Sequence, residues 1–155
     1  MAGRTATGVL CVAALAWIVG STGTLSAQMG IGTWVKQATG SSPAMTMSVE
    51  ACCGSGRRLI YRVGTSDAAT MTVESPFDGT DVPVLVLGKP TGQTMGIKRV
   101  DDHHAVTVLK MNGQQFGTST ATLSADGKTL TIDSEITAAV PGRTPGKTTE
   151  TWIKK

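Results

Sequence analysis

The sequence predicts an all-β fold, a single antiparallel up-and-down β-barrel of roughly eight to ten strands, and three observations carry that expectation. Apolar and polar residues alternate in short runs along most of the chain after Ala27, and each run ends in a turn signal. Aromatic residues are 4% and charged residues 16% of the 155, whereas Thr, Val, Gly and Met are plentiful, which is β-sheet material. No helix-period stripe lasts beyond a turn or two, and no low-complexity linker divides the chain. Evenly spaced runs favour one meandering sheet closed on itself, because closure removes exposed strand edges. A two-sheet β-sandwich is the alternative.

Residues 1–27 stand apart and read as a cleaved signal peptide. Arg4 precedes an apolar run from Val9 to Val19, and small polar residues then lead to Ala27, a suitable residue before a cut, although Leu25 is bulkier than usual at its position. The apolar run is too short for a membrane span, and Cys11 lacks the spacing of a lipid-modified cysteine. The expectation is a free extracytoplasmic chain, periplasmic or secreted, whose residues 28–155 form one domain. That length buries roughly two-thirds of the unfolded surface. Arg4 leaves with the leader, so the formal net charge falls from +3 to +2. With no basic run longer than Arg57-Arg58, neither nucleic acid nor an anionic membrane is expected as the main partner.

In chain order, strands are expected over 31–37, 45–52, 57–63, 70–75, 82–87, 94–100, 105–111, 116–123, 130–140 and 147–154. The turns between them are Gly40-Ser41-Ser42-Pro43, Gly54-Ser55-Gly56, Ser66-Asp67, Asp78-Gly79, Lys89-Pro90-Thr91-Gly92, Asp101-Asp102, Asn112-Gly113 and Ala125-Asp126-Gly127-Lys128. Asp-Gly and Asn-Gly supply the positive φ of tight hairpins. The clearest strand sets Leu130, Ile132, Ile136 and Val140 on one face and Thr131, Asp133, Glu135 and Thr137 on the other. Val106, Val108 and Leu109 suggest a strand buried on both faces.

Gly32-Thr33-Trp34 opens the first strand, as in lipocalins and fatty-acid-binding proteins. With the segments Phe77-Asp78-Gly79-Thr80-Asp81-Val82-Pro83, Lys98-Arg99-Val100-Asp101-Asp102 and Ser124-Ala125-Asp126-Gly127-Lys128-Thr129-Leu130-Thr131, the chain resembles small secreted lipocalin-like (calycin-type) domains of bacteria. The resemblance spans nearly all of residues 28–155 and implies a barrel that can enclose a pocket. It departs from fatty-acid-binding proteins in two places: residues 38–44 are too few for a two-helix lid, and the last strand reads Glu150-Thr151-Trp152-Ile153-Lys154 in place of an Arg-x-Tyr carboxylate clamp. The Thr-Asp-Tyr signature of lipocalins is also missing. Fatty acid is therefore not implied as the ligand.

Arg99 shares strand parity with Met95 and Ile97 and so faces the apolar side. A buried guanidinium is costly unless paired. Two roles follow: a clamp for an anionic head group with Tyr61 as second donor, or a cation–π lid over Trp34 that closes one barrel end. Lys154 could serve as that lid instead. Met45, Met47 and Met71 share faces with Val49 and Val73, and their flexible thioethers suit either an adaptable pocket or ordinary core. Cys52 and Cys53 are adjacent, which leaves a vicinal disulfide, two free thiols, or one buried and one cross-linking thiol open. His103 and His104 follow Asp101-Asp102 in what reads as a polar turn, and no metal or cofactor site is expected. No nucleophile elbow, zincin helix or phosphate loop occurs, so the expectation is a non-enzymatic binder of a small apolar or amphipathic molecule. A filled barrel acting as a structural or protein-interaction module of the cell envelope is the alternative, with an enzyme of similar fold third.

Overall fold

A computed structural model describes residues 30–155 apart from 39, 41 and 42. The predicted leader lies outside the described residues. Ten strands follow in order: β1 (Gly32–Lys36), β2 (Met45–Cys52), β3 (Gly56–Val63), β4 (Met71–Ser75), β5 (Asp78–Val86), β6 (Lys89–Arg99), β7 (His104–Met111), β8 (Gln114–Leu123), β9 (Thr129–Ile136) and β10 (Gly146–Lys154). Each pairs antiparallel with the next, and β1 pairs with β10, so the sheet closes into a barrel and the sandwich is excluded. Among the described residues no helix is long and apolar enough to cross a membrane.

Local chemistry explains two of the hairpins directly. Asn112 and Gly113 take φ of 49° and 82°, the pair of positive values that a two-residue hairpin needs to match strand twist. At the β8–β9 turn the Asp126 carboxylate accepts from the Lys128 amide at 3.0 Å and from the Ser124 hydroxyl at 2.6 Å. These bonds, led by the one from Ser124, hold the Asp126 pKa below its ordinary value.

Two expected turns are corrected. Asp78-Gly79 begins β5, and Lys89-Pro90-Thr91-Gly92 begins β6; the chain reverses earlier, at Pro76-Phe77 and at Leu87-Gly88. Phe77 and Leu87 themselves take positive φ, 63° and 49°, which their residue types do not signal. The displaced turn residues sit beside register shifts at Asp78/Asp81 and Pro83/Leu85, where a sheet tolerates Gly and Pro. The strand at 105–111 is not buried on both faces. Ala105 and Leu109 point inward, while Val106 is 38% exposed on the outside.

Alternation sorts the side chains between interior and solvent. Trp34, Met47, Val49, Leu123, Leu130 and Trp152 pack together at the barrel end that holds Gly30, the β8–β9 turn and Lys154. Val73, Val84, Ile97 and Ala105 form a second cluster, and Leu109, Phe116 and Ile136 a third. The other end carries the β1–β2, β3–β4, β5–β6, β7–β8 and β9–β10 connections.

Candidate ligand cavity

One end of the barrel is shut by three residues of the first and last strands. The Trp34 indole N–H donates to the Gly30 carbonyl at 2.6 Å, fixing a fully buried ring. Lys154 Nζ stands 5.7 Å from the Trp34 ring centre, so the cation–π contact is made by Lys154 rather than Arg99. Gly32 takes φ of 131°, and a Cβ there would lie 2.8 Å from Lys154 Cε. The Gly-x-Trp pattern is therefore a backbone requirement combined with room for the lysine stem.

Above this plug the barrel holds a cavity of about 390 Å³, within the range of small-molecule sites. Its walls differ. Strands β2, β3 and β4 supply Met45, Met47, Leu59, Tyr61, Val63 and Met71, so all four of the predicted Met and Tyr ligand residues face one space. In ring order β3 and β4 lie across the barrel from β8 and β9, which supply Ser119, Ala121, Ile132 and Ser134. Tyr61 meets Trp152 edge-on, with ring centres 6.0 Å apart.

Charge gathers at the mouth. Arg143 of the β9–β10 connection and Glu150 of β10 line both the cavity and a groove beside it that includes Lys36. Glu150 is engaged by Lys36 Nζ at 2.6 Å, whereas Arg143 makes no ion pair among the described residues. Burial pushes the Tyr61 phenol well above its ordinary pKa, the Glu150 carboxylate adds to the rise, and the Arg143 charge opposes it. Tyr61 is therefore a neutral hydroxyl at the cavity wall.

Arg99 is not part of this site. It has inner-face parity, but it is the last residue of β6, where the strand leaves the barrel. Its side chain turns to the following turn, bonding the Asp101 carbonyl at 3.1 Å and the Asp102 carboxylate. Asp101 in turn accepts from the His103 and His104 amides at 2.7 and 2.8 Å, which lowers its pKa, the His103 amide first. His103 thus belongs to a capped turn and His104 opens β7 against it, and no group of three or more metal-ligating side chains occurs among the described residues.

Cys52, the last residue of β2, is bonded to Cys53, the first of the β2–β3 turn, and neither lines the cavity. Cys53 takes φ of 51°, which breaks the strand alternation that would point the two side chains apart. Three features escaped the sequence reading. Arg143 sits in a connection with no periodic signal. Ser134 shares parity with Leu130, Ile132 and Ile136, and a polar residue at an inward position was a readable sign. Arg57, on the inner face with Leu59 and Tyr61, is 8% exposed and bonds the Ser55 and Gly56 carbonyls at 3.0 and 2.8 Å.

Comparisons with known proteins accord with this geometry. Among solved structures the chain is similar to a point mutant of the fluorescent protein UnaG, with a TM-score of 0.60, 12% identity, and 83% of this chain and 97% of that one covered. Wild-type UnaG matches with a TM-score of 0.58 at 12% identity, covering 81% of this chain and 97% of that one. Such identity speaks to fold alone, and the fold is a closed ten-strand antiparallel up-and-down β-barrel. No family model matches the chain, and no curated protein matches it.

Proposed function

We propose that this protein is a non-enzymatic binding barrel that takes a small apolar or amphipathic molecule into its interior. The observation that carries the reading is the cavity itself, about 390 Å³ lined by Met45, Met47, Leu59, Tyr61 and Met71 and closed at one end by Trp34 under Lys154. A barrel filled by its own side chains, the structural-module alternative, would not leave that volume. The head group of an amphipathic ligand belongs at the mouth, where Arg143 offers a cation and Tyr61 a neutral donor. Arg143 thereby takes the role that parity had suggested for Arg99. The protein works outside the cytoplasm, after a signal peptidase cuts near Ala27, in a compartment suited to the Cys52–Cys53 bond.

Native mass spectrometry of the protein exported by its own leader tests this, alongside the same sample denatured. A reproducible extra mass lost on denaturation is expected, and the denatured mass reports the cut site and the state of Cys52 and Cys53. A bare protein that also takes up none of a panel of apolar and amphipathic compounds refutes the binding role.

A further inference from the structure

The wall across from the methionines carries a pattern of its own. Register sets Thr107 of β7 beside Ser119 of β8, Ser119 beside Ser134 of β9, and Ser134 beside Thr148 of β10. All four residues line the cavity. Four neighbouring strands therefore each contribute a small hydroxyl-bearing residue to one row of the inner wall. The Ser119 and Ser134 hydroxyls are hydrogen-bonded at 2.8 Å, and each retains capacity for a further bond.

Trp152 adds a second sign. Its ring lines the cavity and is 1% exposed, yet its indole N–H has no acceptor among the described residues. A donor buried so deeply is costly without a partner. A plain hydrocarbon chain offers the row and the indole nothing, since it neither donates nor accepts. Hydroxyls carry no charge and both donate and accept, which suits uncharged oxygen groups on a ligand. The charged lining residues, Arg143 and Glu150, share a groove with Thr148 at the β10 end of the row, whereas Thr107, Ser119 and Ser134 do not line that groove.

Resting on the binding role proposed above, we infer that the ligand is a rigid, facially amphipathic molecule: a polycyclic apolar skeleton with uncharged hydroxyl or carbonyl groups along one face. Its apolar face lies on Met45, Met47, Leu59 and Met71, where thioethers adapt to ring edges. Its polar face lies on the row from Thr107 to Thr148. A single-chain fatty acid uses the first wall and wastes the second.

The test titrates the exported protein with an environment-sensitive apolar dye and displaces the dye with cholate, hydroxylated along one face, with its less hydroxylated relative lithocholate, and with palmitate. Cholate is expected to displace best. The double variant Ser119→Ala/Ser134→Ala should weaken cholate roughly five- to tenfold, the scale of one or two neutral hydrogen bonds, while dye and lithocholate change by less than about twofold. Ser134→Thr, which keeps a hydroxyl, should retain the preference for cholate. Dye binding with palmitate or lithocholate favoured, or an equal loss for every probe in the double variant, overturns the inference and leaves the binding role standing. Failure of every probe, the dye included, overturns both.

Discussion

Replacing Gly32 by alanine tests how the closed end of the barrel is built. Two costs arise from the structure. At φ of 131° an L-residue is strained, a penalty of about 1–3 kcal/mol. The new methyl would also lie 2.8 Å from Lys154 Cε, so the lysine must move and its contact with Trp34 weakens by about 0.5–1 kcal/mol. Together these give about 1.5–4 kcal/mol, or a fall in Tm of roughly 5–20 °C for a domain of this size. Thermal and denaturant unfolding of the purified protein measure it. Repeating Gly32→Ala in a Lys154→Ala background separates the two costs, because only the backbone penalty survives once the lysine stem is gone. The two changes should then couple by about 0.5–1 kcal/mol. A Gly32→Ala protein within about 0.5 kcal/mol of the parent would refute the account of the Gly-x-Trp pattern.

Tyr61 is the one tyrosine in the chain, so tyrosinate absorbance reads it alone. Burial first, then Glu150, raise its folded pKa; its contribution to stability is present below about pH 10 and is lost as pH rises through the folded value. The native protein should therefore show no ionisation near pH 10 where the unfolded chain does, and Tyr61→Phe should remove this alkaline loss; a native midpoint at about 10 would contradict the buried placement. At the mouth, Arg143→Gln should weaken binding of an anionic amphiphile about two- to fivefold, a modest effect because the side chain is exposed to solvent, while Arg99→Gln leaves it unchanged. Calorimetric titration of both variants decides, and the reverse ranking would return the clamp to Arg99.

The sequence by itself determined the class of fold and most of its strands. Period-two alternation and turn chemistry act between neighbours in the chain, so runs such as Met45–Cys52 and turns such as Asn112-Gly113 can be read locally. It also put Met45, Met47, Tyr61 and Met71 on inward faces. Parity could not tell how far along the barrel an inward residue sits. Arg99 and Tyr61 both have interior parity, yet one ends its strand in a turn and the other lines the cavity. Only the tertiary structure decided closure by β1 against β10, the choice of Lys154 as the cation over Trp34, and the meeting of Lys36 with Glu150 across 114 residues. The same holds for the hydroxyl row, which no single strand reveals because it exists only through the register of four. Local signals fix which face a residue takes, whereas shared depth and partners far along the chain follow from how the whole sheet closes.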